Sequence, residues 1–141
     1  MTYDEALVAT NGNEQAALFL VAYVRYCHLL DDIIDQDKEL TDERLVKESL
    51  DFIGHFGCNP WVMGNFSRLF PLVVSGFNAW LDANKMEKSD VEQVRLSSDT
   101  VKGIYHEMVY VVAYICGGHE HMRIVSKQRE YDYDQKKKGG V

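Results

Sequence analysis

The sequence predicts an all-α protein, built as a single-domain antiparallel bundle of about five helices. Apolar residues recur at steps of three and four positions over several long segments, as they do on the buried side of an amphipathic helix. Capping residues precede these segments and glycines follow them. No segment of useful length alternates apolar and polar residues as a half-buried strand would. A chain of 141 residues suits one core, and short connections make successive helices antiparallel.

The first long helix is predicted to begin at the segment Asn11–Glu14 and to run to about Gln36. Asn11 or Asn13 can cap it, and Glu14 is favourable in its first turn. Other apolar residues widen its main apolar stripe, so this helix is predicted to be buried on most sides. The stripe consists of Leu18, Val21, Ala22, Leu29 and Ile33.

Thr41 can cap a second helix, which is predicted to stop near Gly54–Gly57. Its apolar positions are Leu45, Val46, Leu50 and Ile53. Pro60 fits the first position of the next helix. Pro71 would kink or split the segment Trp61–Asn84, which is therefore predicted to form a short helix followed by a longer one.

Ser89–Glu92 has the spacing of a capping box and is predicted to open a long helix that ends at Gly117–Gly118. Residues from His119 to about Arg129 can form a last short helix. The end of the chain, with three lysines and two glycines, is predicted to be a polar tail. The helical domain is therefore assigned to residues 1–130 and the tail to residues 131–141.

The charge and cysteine content exclude several classes of protein. A net charge of −7 and a pI near 5.1 argue against a nucleic-acid partner, which would require a basic surface. Cys27, Cys58 and Cys116 are odd in number and far apart, as expected of reduced thiols in the cytoplasm. No apolar run approaches the roughly 20 residues of a membrane span, and the first residues lack a basic signal region. A cytoplasmic protein is predicted.

An acidic cluster lies inside the otherwise apolar first helix. Asp31 and Asp35 are four positions apart and share a helix face, with His28 one turn before them and Asp32 beside them. Because like charges at this spacing repel, they need solvation, a basic partner or a bound cation. Carboxylate oxygens in this arrangement suit Mg²⁺, which binds one or two carboxylates together with a phosphate.

The segment 19–35 resembles the first aspartate-rich motif of the isoprenoid synthases, in particular their squalene and phytoene synthase branch. The resemblance implies a reduced isoprenoid-synthase-like bundle in which aspartates hold Mg²⁺ against a substrate diphosphate. It implies that Asp31 and Asp35 are metal ligands, with His28, Asp32 and Arg25 in supporting positions.

A second metal motif is also expected from this resemblance. Class I terpene synthases carry it on a facing helix, with ligands at positions i, i+4 and i+8. Asp99, Gly103 and Glu107 reproduce this spacing, with a glycine where a hydroxyl residue is usual. In an up-down bundle the end of the first long helix lies near the start of the Ser89 helix. Asp99 and Glu107 are therefore expected across from Asp31 and Asp35.

The first functional hypothesis is Mg²⁺-dependent binding or processing of a diphosphate-bearing small molecule of the prenyl type. A related alternative is an all-helical nucleotide pyrophosphohydrolase, although the glutamate-rich signature of that class is missing. A third interpretation keeps the aspartates as a solvated or salt-bridged surface without a metal. A low-specificity structural zinc set is also present, because Cys₂His₂ ligands can hold zinc. Its members are His55, Cys58, Cys116 and His119.

The alternative functional hypothesis is a non-enzymatic helical adaptor of a larger assembly, for example a viral particle, in which case the chain would lie within that particle. Late in the chain, cations and aromatic residues are mixed as they are at protein interfaces. This predicted partner-binding stretch contains Arg123, Lys127, Arg129, Tyr131 and Tyr133. A homo-oligomer is compatible with the same pattern.

Overall fold

The structure is a computed structural model that describes residues 1–36 and 39–139, except for the side chains of residues 129–134, 136 and 137. This part of the chain forms seven α-helices and a 3₁₀ turn at Gly103–His106, and it contains no strand. The helices are α1 (Tyr3–Ala9), α2 (Glu14–Ile34), α3 (Asp42–Cys58), α4 (Pro60–Gly64), α5 (Phe66–Glu87), α6 (Glu92–Lys102) and α7 (Glu107–Lys138). Since α1 and α4 are short, five helices of 11 or more residues remain. The predicted all-α bundle of about five helices is confirmed.

The first two helices begin at side-chain caps. Asn13 accepts a hydrogen bond from the Ala16 amide at 3.0 Å, so α2 begins where the sequence predicted. The preceding α1 was not predicted, although Thr2 and Glu5 form a complete capping box at its start. Gly12, with φ of +80°, turns the chain from α1 into α2.

The starts of α3 and α4 also agree with the prediction. Thr41 accepts a hydrogen bond from the Arg44 amide at 3.1 Å, and Pro60 occupies the first position of α4. The expected stop near Gly54–Gly57 is slightly early, because α3 continues to Cys58. The predicted short helix followed by a longer one is confirmed, but the two separate at Asn65 rather than at Pro71, which lies within α5 at the cost of one backbone hydrogen bond.

The long helix predicted after Ser89 is divided into two. Ser89 does not cap α6, because its Oγ accepts a hydrogen bond from the Val91 amide and the helix begins at Glu92. The 3₁₀ turn then separates α6 from α7. A further break lies at Gly118, with φ of +82° and ψ of −177°, where the sequence predicted a helix end. Beyond it, helical backbone continues to Lys138 rather than ending near Arg129.

The core is centred on α2, which packs against α1, α3, α4 and α7. Phe19, Leu20 and Tyr23 of α2 are fully buried, in agreement with the predicted burial of this helix on most sides, although Leu18 and Ile33 of the predicted stripe are exposed. Aromatic side chains of α3 and α5 stack around them, while α7 closes another side with small and medium apolar residues. α5 packs against α6 and the 3₁₀ turn. The ends of α2 and α6 meet where Lys102 contacts Asp31. None of the described helices combines the length and hydropathy needed to cross a bilayer.

Candidate functional site

An open cleft of about 840 Å³ lies between α2, the end of α6, the 3₁₀ turn and the start of α7. His28 and Asp31 line it from α2, Asp99 from α6 and Glu107 from α7. These are four of the residues that the sequence predicted for a metal site. The structure therefore brings members of both predicted motifs to one cleft.

Asp31 already has two partners from the chain itself. Its Oδ1 atom lies 3.4 Å from the Nζ atom of Lys102, which also lines the cleft. The indole N–H of Trp80 donates a hydrogen bond to the same oxygen. Because an ammonium and an N–H group both face this carboxylate, its charge is compensated within the fold.

Lys102 is a fixed cation of the cleft. Its Nζ atom lies 3.5 Å from Glu87 in addition to its contact with Asp31. Burial alone would lower the pKa of this lysine, but the two carboxylates together outweigh burial and raise its pKa above the ordinary value. Lys102 therefore stays charged at neutral pH and beyond.

The remaining members of the first acidic motif do not line the cleft. Asp32 forms an ion pair with Arg44 of α3 at 2.7 Å, and the hydrogen bonds that Arg44 donates to Asp32 and to Glu48 raise its pKa. Asp35 is the exposed C-cap residue of α2. Arg25 lines a different cavity of about 210 Å³, next to α3. The first motif is thus divided between two sides of α2.

The acidic residues that line the cleft do not form a compact set of metal ligands. Among the described residues, no group of three or more His, Cys, Asp and Glu side chains is close enough to hold a metal ion. Asp31, Asp99 and Glu107 face the same open space without forming such a group. Mg²⁺ binding by these residues stays a prediction.

The four residues of the predicted zinc set likewise form no such group in the described part of the chain. The Nδ1 atom of His55 lies 3.0 Å from the side-chain nitrogen of Asn59. Because an amide nitrogen can only donate a hydrogen bond, Nδ1 is the acceptor. Cys58 and His119 are exposed, while partial burial raises the pKa of Cys116 to about 11 and keeps it a thiol. Zinc binding also stays a prediction.

Part of the predicted partner-binding stretch can be placed. Arg123 and Lys127 are exposed on the part of α7 that follows Gly118. Arg129, Tyr131 and Tyr133 have side chains outside the described residues. The role of this stretch therefore stays a prediction.

An exposed surface on α3 and α5, which we call the apolar face, was not predicted from the sequence. On α3 it follows steps of four and three residues, and on α5 it follows steps of four. Its members are Val46, Leu50, Ile53, Phe66, Phe70 and Val74, all exposed. Val46, Leu50 and Ile53 were predicted to lie on the apolar side of the second helix. In the structure they are exposed, and Phe52 is the buried residue of α3.

A half-buried aromatic residue joins the two halves of the apolar face. The ring of Phe56 on α3 lies 5.9 Å from that of Phe66 and 6.1 Å from that of Phe70, edge to face in both cases. Phe66 and Phe70 stack on each other at 5.1 Å. The sequence contains one pattern that could have predicted this surface. It is a second apolar stripe on α3, beside the stripe with Leu45 and Phe52.

Comparisons of the chain with protein-family models, with curated proteins and with solved structures find no match. The resemblance of the segment 19–35 to the isoprenoid synthases therefore depends on those residues alone.

Proposed function

We propose that the chain is a non-enzymatic helical interaction protein, which acts by binding other protein subunits in an assembly. The apolar face is the observation that carries this proposal. Leu50 is 62% exposed and Phe70 is 44% exposed, although both residue types favour burial. An exposed apolar surface of this kind typically marks a protein interface. Stacked phenylalanines at its centre are suited to act as anchors in a partner's pocket.

The internal pairing of the acidic motif supports the same proposal. Asp31 is matched by Lys102, and Asp32 is matched by Arg44. Since Asp31 and Asp32 each have a cation from another helix, and Asp35 is exposed to solvent, these charges can be accommodated without a metal ion. These ion pairs connect α2 to α6 and to α3. Such a structural role is compatible with a non-enzymatic interaction protein.

The proposal can be tested by chemical cross-linking in the cells that naturally make the chain. Phe70→Glu changes the centre of the apolar face, and Leu96→Glu is the matched control, because Leu96 is an exposed leucine on α6. We expect wild type and Leu96→Glu to form the same cross-links to other subunits, and Phe70→Glu to lose them. Circular dichroism verifies that both variants fold. Equal cross-linking by all three proteins would contradict the proposal.

A second candidate function is supported by the composition of the cleft. Carboxylates from Asp31, Asp99 and Glu107 face the same space as the Lys102 ammonium. Carboxylates suit Mg²⁺, and an ammonium suits a phosphate oxygen. This combination supports the hypothesis of a Mg²⁺-dependent site for a diphosphate-bearing molecule of the prenyl type, with Asp31 and either Asp99 or Glu107 as ligands.

Calorimetric titration with Mg²⁺, with and without geranyl diphosphate, tests this second candidate. We expect binding by wild type and by the control Asp82→Asn, whose aspartate lies on α5 and does not line the cleft. The variant Asp31→Asn, which removes the ligand common to both alternatives, should not bind. At Mg²⁺ concentrations about 100 times the Kd, bound metal should stabilise wild type by about 2.7 kcal/mol. No heat of binding in wild type would exclude this candidate.

A further inference from the structure

Charge is distributed very unevenly along this acidic chain. The segment 52–81 contains none of its 22 Asp and Glu residues and only one of its 15 Lys and Arg residues, Arg68. It covers the end of α3, all of α4 and most of α5. Asp51 and Asp82 border it at the two ends. Carboxylates are thus absent from one continuous stretch of helices, while the rest of the chain carries all of them.

The same segment supplies the larger part of the apolar face. Ile53, Phe66, Phe70 and Val74 are exposed around the half-buried Phe56, and we call these five residues the neutral patch. Depletion of charge combined with exposed aromatic side chains is the composition of the buried centre of protein interfaces. The neutral patch therefore has the composition of such a centre, whereas Val46 and Leu50 have acidic neighbours on α3.

We propose that the neutral patch binds a second copy of this chain in a two-fold symmetric dimer. This inference builds on the proposed function and names the first partner of the apolar face. A two-fold contact places the same patch on both sides, so the patch must be complementary to itself. Two copies that each have a net charge of −7 repel each other, and a contact between two acidic surfaces would add to this repulsion. The neutral patch meets this requirement because it presents only apolar groups.

The spacing on α5 provides a geometry for the contact. Phe66, Phe70 and Val74 follow one another at four-residue steps, which makes them one ridge along the helix. Ridges of this type interlock with each other when two helices cross at about 50°. With Phe70 near the two-fold axis, Phe66 of one copy faces Val74 of the other. Each exposed phenylalanine is then covered by an apolar residue.

The dependence on salt separates this interface from one made of ion pairs. Salt screens the repulsion between the two acidic bodies, but it does not weaken a contact between apolar groups. We therefore expect the dimer to become tighter as NaCl rises from about 20 mM to about 500 mM. An interface held by opposite charges would become weaker over the same range.

Sedimentation velocity of the full chain over a concentration series tests the inference. Wild type should dimerise reversibly, and Leu96→Glu should dimerise with the same Kd. Phe70→Glu and Val74→Glu should each raise the Kd at least about tenfold, because each buries a carboxylate against an apolar surface. Both positions are exposed, and circular dichroism verifies that the helices are retained.

Three results would overturn the inference. Wild type could remain a monomer at all concentrations, Leu96→Glu could disrupt the dimer as strongly as Phe70→Glu, or the dimer could weaken with salt. A monomer that co-sediments with phosphatidylcholine vesicles through Phe70 would assign the patch to a lipid surface instead. If the monomer still forms Phe70-dependent cross-links to other proteins in cells, this inference fails and the proposed function stands. If a dimer forms without such cross-links, the wider assembly role fails and the dimer stands.

Discussion

Gly76 is a buried glycine of α5 that lies against Tyr23 and Tyr105. A Cβ atom at this position would lie 2.8 Å from the Tyr23 hydroxyl oxygen and 3.5 Å from the Tyr105 Cα atom. The Tyr23 ring is fully buried and stacks on Phe77, so it cannot turn away. Its hydroxyl donates a hydrogen bond to the Tyr105 carbonyl at 3.3 Å, which holds the 3₁₀ turn beside the cleft.

Gly76→Ala should therefore destabilise the fold. Replacing a helical glycine by alanine gains about 1 kcal/mol of helix propensity. Forcing a methyl group into a filled core costs about 1 to 3 kcal/mol. The overpacking term is the larger one here because the obstructing oxygen belongs to a rigid, buried ring. We expect a net loss of up to about 2 kcal/mol in the free energy of unfolding.

Gly54→Ala in α3 is the matched control, since a Cβ there meets no atom within 4 Å. It should stabilise the protein by up to about 1 kcal/mol. Urea unfolding followed by circular dichroism measures both values. In a Tyr23→Phe background the obstructing oxygen is absent, so Gly76→Ala should become neutral or stabilising.

Two results would refute this reasoning. Gly76→Ala could stabilise the wild-type protein as Gly54→Ala does, which would mean that the Tyr23 hydroxyl is not where the structure places it. Alternatively, the loss could be the same with and without the hydroxyl. The Tyr105 backbone would then be the obstacle.

Three further predictions concern His55, Lys102 and Gly118. Burial lowers the pKa of His55, and the negative charge of Asp51 offsets part of this decrease. The stability that neutral His55 contributes should thus be complete above about pH 6.5 and be lost as pH falls through the lowered pKa. Urea unfolding should show this loss in wild type but not in His55→Gln. Lys102→Met should lower stability by about 1 kcal/mol or less, because the ion pair is partly exposed. Its raised pKa keeps that difference constant from neutral pH to about pH 10, as melting temperatures should show. Gly118→Ala should cost about 1 to 3 kcal/mol in thermal unfolding, because only glycine adopts its backbone angles readily, whereas Gly57→Ala should show no such loss.

The parts of the fold that sequence predicted correctly depend on neighbours along the chain. Asn13, Thr41 and Pro60 act within their own first helical turn, so their residue types were sufficient to locate three helix starts. The division at the 3₁₀ turn could not be predicted in this way. It coincides with the hydrogen bond from Tyr23 to Tyr105, whose partners are 82 positions apart.

The candidate site shows the same limit. The acidic motif and its facing partners were identified from spacing, and the structure places Asp31, Asp99 and Glu107 around one cleft. Salt-bridged aspartates were one of the predictions, but their partners could not be identified from the sequence, because Trp80 reaches Asp31 from 49 positions away and Lys102 lies on another helix. The apolar face was missed for a related reason. Which stripe of α3 becomes buried is decided by the aromatic rings of α2 and α5 that Phe52 meets.

The contact between α1 and α7 has a consequence for synthesis. The His121 Nε2 atom lies 2.8 Å from the Ala9 carbonyl, and the two residues are 112 positions apart. α1 has seven residues, too few to be stable alone, so most of its burial has to come from other helices. During translation, α2 becomes available soon after α1, whereas the contact from α7 arrives only when nearly all the described chain has been made. We therefore expect ribosome-bound chains that end before His121 to leave α1 open to protease, and release of the complete helix to close it.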